Sequence, residues 1–252
     1  MASYSHWAII DTVDGPMSMY VAVPGGGDPR PAVLIIHGID GLATGTTAVA
    51  DRFAEEGYVA AAPDLFHRGP IPSSFEDLYK RRRGHTDAQT SLDIAAAIAH
   101  LQVQPLVKPG PVGIIGFCMG GRVAYYIAGT NPSIGVAADC YGGGLFVSEG
   151  GPAPIEYTGN IRCPIILLDG ELDRNPSPQD LQAIQAELKK YGVTYEAHIY
   201  PGVGHGFMGE EPSDTSPEAS DEAWKQVWAW FHRHLETAPN TYVQTRIPAP
   251  QR

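Results

Sequence analysis

Apolar and polar positions along the chain fall into short solid runs separated by longer periodic stretches. Ala32–Ile36 is a run of five apolar residues between the turn-rich GGGDPRP and His37-Gly38. A short apolar run bounded by turn residues predicts a strand buried on both faces. Tyr58–Ala62, closed by Pro63-Asp64, repeats the pattern, as do Val112–Ile115, Ile134–Ala138, Pro164–Leu168 and Tyr195–Tyr200. The stretches between carry a helical period. Residues 46–56 stop at Gly57, and 86–102 place Leu92, Ala95, Ala96, Ala99 and Leu101 at helical spacing. Cys118–Gly129 reads as a helix opening at a strand's end, and 178–191 as one stopped by Gly192. Residues 218–235 put Trp224, Val227, Trp228 and Phe231 on one face. At the front, WAIIDTV and PMSMYVAV flank Asp14-Gly15, which predicts a hairpin over 6–23. Residues 65–84, ending in Arg81-Arg82-Arg83, are expected to be irregular, and 236–252 a loose tail.

Strands alternating with helices predict an α/β fold with a mostly parallel central sheet and helices on both faces. One domain over 1–252 accounts for the whole pattern. In such sheets ligands bind beyond the carboxyl ends of the strands, so the chemistry is sought there.

Composition narrows the class. Hydrophobic residues make up 43% of 252, enough for a full core, and the net charge is −11. An acidic balance argues against nucleic acid or an anionic membrane as the main partner. No stretch of about 18 apolar residues predicts a membrane span. The N-terminus, MASYSHWAIIDTVDG, has no basic region ahead of a long apolar run, so no secretory leader is expected. Three widely spaced cysteines with no CxxC argue against a disulfide framework and a zinc ribbon. A cytoplasmic protein, a monomer or small homo-oligomer without cofactor or metal, is the expectation.

Three strand ends carry candidate groups for catalysis. Gly116-Phe117-Cys118-Met119-Gly120-Gly121 is a strand–nucleophile–helix turn of the G-x-S-x-G kind, with cysteine for serine. The turn is tight, so small residues must flank the nucleophile. A helix N-terminus there favours an anion, and the thiolate is the reactive form of cysteine. Cys140 and Cys163 sit in apolar strand segments with no glycine cage around them and read as core residues. Asp173, in LLDGELDRNPSP, follows a strand, with Asp169 and Glu171 as rivals. His205 follows the last strand between Gly204 and Gly206. The order Cys118, Asp173, His205 is nucleophile, acid, base, the chain order of α/β-hydrolases. A fourth strand end, His37–Gly41, would supply one oxyanion N–H from Ile39, and Met119 the other. Segment 142–158, GGGLFVSEGGPAPIEYT, reads as a loop over the pocket mouth, with Leu145, Phe146, Phe66 and Phe207 as candidate apolar walls.

Together these residues resemble the dienelactone hydrolase family of α/β-hydrolases. The likeness rests on the G-x-C-x-G-G elbow, Gly170–Asp173, the GH-x-F segment Gly204–Phe207 and GYVAAAPDLF at 57–66. It covers roughly residues 10–235 and implies the α/β-hydrolase fold, a Cys-His-Asp triad, no metal, and small-molecule ester or lactone substrates. The family also includes promiscuous phosphotriester hydrolases, which adds a phosphotriester as a candidate substrate. Two departures stand out. The family's namesakes carry a glutamate in the loop matching His37–Gly41, where this chain has Gly38, with Asp40 two residues on. They also clamp a substrate carboxylate with two arginines. Arg81, in the Arg81–Arg83 run, matches one, and Met208-Gly209 stands where the other would follow. The rival class is a non-catalytic member of the same fold that binds a small ligand.

Overall fold

The computed structural model describes residues 2–70, 72, 74–208 and 216–236. Tyr4–Thr12 (β1) and Gly15–Val23 (β2) form the expected antiparallel hairpin, with Gly15 at φ +121° in the turn. Ala32–Ile36 (β3), Val59–Pro63 (β4), Val112–Phe117 (β5), Ile134–Cys140 (β6), Ile165–Gly170 (β7) and Tyr195–Tyr200 (β8) complete one eight-stranded sheet. Its order is β1-β2-β4-β3-β5-β6-β7-β8, and every pairing from β4 to β8 is parallel.

The helices are Thr44–Glu55 (α1), Phe75–Gly84 (α2), Asp87–Gln102 (α3), Met119–Thr130 (α4), Pro178–Lys190 (α5) and Pro217–Phe231 (α6). The last is followed by a widened turn, His232–Glu236. Helix α2 lies inside the stretch expected to be irregular. Its apolar period is faint, and local chemistry holds it instead. The Ser74 hydroxyl accepts from Asp77 N–H, Glu76 and Asp77 occupy the first turn, and Arg81–Arg83 the last. Those charges complement the helix dipole at both ends. From residue 237 onward the expected tail lies outside the described residues.

Alternation along the strands builds two cores. Leu34, Ile36, Ile114, Ala137, Ile165 and Leu167 face α3, α4 and α5. Val33, Ile35, Ile115, Ala138, Ile166 and Leu168 face α1 and α6, where Phe53, Trp224, Val227 and Phe231 close over them. Strands buried on both faces read as continuous apolar runs for this reason.

One buried ion pair ties α3, α4 and the segment after β6 together. Arg122 of α4 is 2% exposed and Asp87 of α3 is 5% exposed. The guanidinium grips the Asp87 carboxylate with two nitrogens and donates to the carbonyls of Gly144 and Val147. Thr86 and Gln89 form a capping box that fixes Asp87 in the first turn of α3. Removing one partner of such a pair strands the other charge in the interior. Asp87→Ala is therefore expected to lower unfolding free energy by about 3 kcal/mol in urea denaturation, Glu149 at 3.4 Å from Arg122 offsetting part of the loss. A change below about 1 kcal/mol, the range of exposed pairs, would show that the pair holds no more than a surface contact.

Candidate active site

Strand β5 and helix α4 meet at Cys118 with almost no space between backbones. A Cβ on Gly116 would lie 1.9 Å from the Gly120 carbonyl oxygen, and one on Gly120 would lie 2.2 Å from that of Ile36. Only glycine fits either position. Cys118 itself sits at φ 57°, ψ −117°, a conformation costly for a residue with a side chain. Its N–H donates to the Cys140 carbonyl at 3.0 Å, and it is partly exposed at the N-terminus of α4. The turn thus lifts a thiol out of the sheet and sets it against the positive end of a helix.

The carboxylate and the imidazole arrive from the next strand ends. Asp173, 5% exposed, follows β7; its N–H donates to Gly170 O at 3.1 Å and its Oδ1 accepts from Asn175 N–H at 2.9 Å. Its Oδ2 lies 2.7 Å from His205 Nδ1. His205, in the loop after β8, lies beside Cys118 in the same cleft. The Tyr141 ring stands edge-on to the imidazole, with centroids 5.2 Å apart. Both rivals lie elsewhere: Asp169 is buried beside Asp173, and Glu171 is exposed and accepts from Gly202 N–H at 3.0 Å. The bond to Asp173 first, then the nearness of Cys118, pushes His205 up to about 10, against the opposing effect of burial.

Cys118, Asp173, His205, Ile39 and Met119 line one cleft of about 520 Å³. The segment after β6 forms part of its rim through Gly143, Gly144, Val147 and Glu149. Arg174 and Asn175 close the side next to Asp173.

The other expected contacts are placed differently. Arg81 does not line the cleft. Its guanidinium lies 4.1 Å above the Phe66 ring, and Nη2 reaches the carbonyls of Ile39 and Asp40 at 3.5 and 3.4 Å. Tyr79 and Arg82 take the cleft-facing places on α2, with Arg82 paired to Glu149. Residues three apart share a helix face, so a helix recognised over 75–84 would have pointed to Arg82 rather than its neighbour. Phe66 is 4% exposed and packs on His37, with centroids 5.0 Å apart. Leu145 and Phe207 are core residues, 1% and 0% exposed. Phe207 packs on Tyr200 and Tyr141, with centroids at 5.0 and 5.7 Å. Phe146 is 44% exposed and outside the cleft. The expected aromatic walls are absent because Phe66 and Phe207 are buried in the core and Phe146 is exposed outside the cleft.

Gly38 leaves room that Asp40 fills. A Cβ at position 38 would lie 2.9 Å from Asp40 Oδ1 and 3.8 Å from Cys118 Cβ. Among the described residues no group of three or more His, Cys, Asp or Glu could hold a metal, and no helix is long and apolar enough to cross a membrane.

The sheet order and the strand–turn–helix at Cys118 define an α/β-hydrolase fold. Comparison with known proteins agrees and goes further. Residues 17–235 match the family model "Dienelactone hydrolase family", and the chain belongs to that family of hydrolases. A protein of Synechocystis sp., provisionally named carboxymethylenebutenolidase, is 33% identical over 226 residues, covering 86% of this chain and 92% of that one. A Klebsiella pneumoniae crystal structure, provisionally named dienelactone hydrolase, superposes with TM-score 0.86 at 25% identity, over 92% of this chain and all of its own. A dienelactone hydrolase-like promiscuous phosphotriesterase from metagenomic libraries superposes with TM-score 0.79 at 22% identity, over 92% of this chain and 99% of that one.

The raised His205 value has a sign in stability. The folded value, about 10, exceeds the ordinary 6.5, so stabilisation by the imidazolium is complete below pH 6.5 and fades as pH rises toward 10. The side chain is 41% exposed, so solvent screening keeps the effect small. Denaturation midpoints of wild type and His205→Gln are expected to differ most below pH 6.5 and converge toward pH 10. A gap that widens across that window would contradict the charge assignment.

Proposed function

We propose that the protein hydrolyses activated carboxylic esters or lactones through a Cys118–His205–Asp173 triad and a covalent thioester. The observation that carries this reading is one cleft that brings Cys118 together with an imidazole bonded to Asp173 at 2.7 Å. Near neutral pH that ring is an imidazolium, the partner a thiolate requires. The thiolate sulfur attacks the acyl carbon, and the carbonyl π electrons move onto oxygen. The Ile39 and Met119 N–H groups receive that charge, each donor of this kind contributing about 3–4 kcal/mol in measured cases. Collapse re-forms the carbonyl and expels the alkoxide, which takes the proton from His205. The neutral imidazole then removes a proton from water, which attacks the thioester and releases the acid and the Cys118 thiolate. Asp173 keeps the proton on Nδ1 throughout, leaving Nε2 free to give and take.

Three arginines line the cleft. Arg82 and Arg122 each already face a carboxylate, Glu149 for the first and Asp87 for the second, while Arg174 is exposed beside Asp173 and open to a substrate carboxylate. A neutral ester or phosphotriester needs no such contact. Phosphotriester hydrolysis is held as a side activity. The fold-level likeness to a promiscuous phosphotriesterase supports it, as does the cleft size of about 520 Å³.

The test mixes wild type and Cys118→Ala with p-nitrophenyl butyrate and, separately, with p-nitrophenyl diethyl phosphate. Expected are a burst and a butyryl adduct on Cys118 by mass spectrometry, with turnover falling about 1,000-fold or more in the variant. Phosphate turnover lost in the same variant would place both reactions on one sulfur. Unchanged ester turnover in Cys118→Ala would overturn the triad reading. Absence of any turnover, with Cys118 inert to iodoacetamide, would leave the non-catalytic ligand-binding class.

A further inference from the structure

His37 is 1% exposed and touches no part of the cleft lining, yet both of its ring nitrogens are engaged. Nδ1 lies 2.7 Å from the carbonyl oxygen of Gly38, and Leu65 N–H donates to Nε2 at 3.1 Å. A backbone N–H cannot accept and a carbonyl cannot donate, so the tautomer is forced: the proton sits on Nδ1. Burial lowers the imidazole below its ordinary value, which keeps the ring neutral and Nε2 free to accept.

The Gly38 carbonyl belongs to the same planar unit as the Ile39 N–H. Among the described residues the one cis peptide is Asn175-Pro176, so the Gly38–Ile39 peptide is trans. In a trans peptide C=O and N–H point in opposite directions. Holding the carbonyl against the buried imidazole therefore turns the Ile39 N–H the other way, and Ile39 lines the cleft with Cys118. We propose that His37 is the positioning residue of the oxyanion hole, fixing the Gly38–Ile39 peptide so that its N–H aims at the developing oxyanion. The inference rests on the ester-hydrolysis reading above and assigns what keeps one of its two donors in place.

The surroundings hold the ring in turn. Phe66 packs against it, and Arg81 stacks on Phe66, with Nη2 near the carbonyls of Ile39 and Asp40. Successive peptides of the loop are thus held at their carbonyls, that of Gly38 by the imidazole and by Gly41 N–H at 3.2 Å, and the next two by the guanidinium. Leu65 carries the end of β4 into the same arrangement, so the aim of the donor depends on β3, which neighbours β5, and on β4 beyond it.

The test uses His37→Asn and His37→Gln. Asparagine places an amide near the Nδ1 position and can still donate to Gly38 O. Glutamine places its amide near Nε2 and cannot. His37→Gln is expected to lower kcat/KM for p-nitrophenyl butyrate by about 10- to 100-fold, mainly in kcat. It should weaken an aliphatic trifluoromethyl ketone, whose adduct with Cys118 carries an oxyanion, by a similar factor. Alkylation of Cys118 by iodoacetamide, which forms no oxyanion, should keep its wild-type rate, and His37→Asn should recover most of the loss. The inference is overturned if His37→Gln keeps wild-type kcat/KM, if Asn and Gln fall equally, or if alkylation slows in parallel with hydrolysis. Turnover surviving in Cys118→Ala would instead sink the underlying triad reading, so the two failures are separable.

Discussion

Helix α4 approaches the end of β3 so closely that the Gly120 Cα and the Ile36 carbonyl leave no room for a methyl group. This contact sets the geometry of the whole catalytic edge. It allows the chain to turn from β5 into α4 within one residue, and that residue, Cys118, takes up the backbone strain. Gly121 has the same constraint on its other side, where a Cβ would meet Asp139 Oδ1 at 2.3 Å. Strain of this kind persists only when the surroundings over-determine it. At Gly116 and Gly120 the surroundings are backbone, which cannot rearrange as a side chain can.

The same close packing arranges charge. Behind His205, the carboxyls of Asp139 and Asp169 sit on one face of neighbouring strands with 3% and 4% exposure. Burial pushes Asp139 up to about 7, against the hydrogen bond from Gly142 N–H, and pushes Asp169 well up. Burial thus disfavours charge on Asp169, while Asp173 bonds directly to the imidazole and sets its orientation.

Much of this was readable from residue order. The alternation of solid apolar runs with helical stretches gave the sheet. Chemistry-bearing residues at the ends of β5, β7 and β8 gave Cys118, Asp173 and His205 as a set, because parallel sheets bring those ends to one edge. The hairpin followed from Asp14-Gly15. Side-chain direction was not readable. Helix α2 is built by Ser74 and its terminal charges rather than by apolar period, so its phase stayed hidden and Arg81 was expected where Arg82 stands. Leu145 and Phe207 fall in segments near the site, but whether an apolar side chain turns to the cleft or the sheet depends on neighbours distant in sequence. For Phe207 those neighbours are Tyr141 and Tyr200.

On the proposed reading, cysteine suits what the edge provides. Its thiolate is the reactive form, and the imidazole held by Asp173 is the charged partner a thiolate needs. The cost lies at the next step. Thiolate is a better leaving group than most alkoxides, so a tetrahedral intermediate returns to substrate unless the departing group is activated or strained. Phenyl esters and lactones meet that condition; amides do not. On the proposed reading, the sulfur and the histidine held by Asp173 favour substrates with a good leaving group.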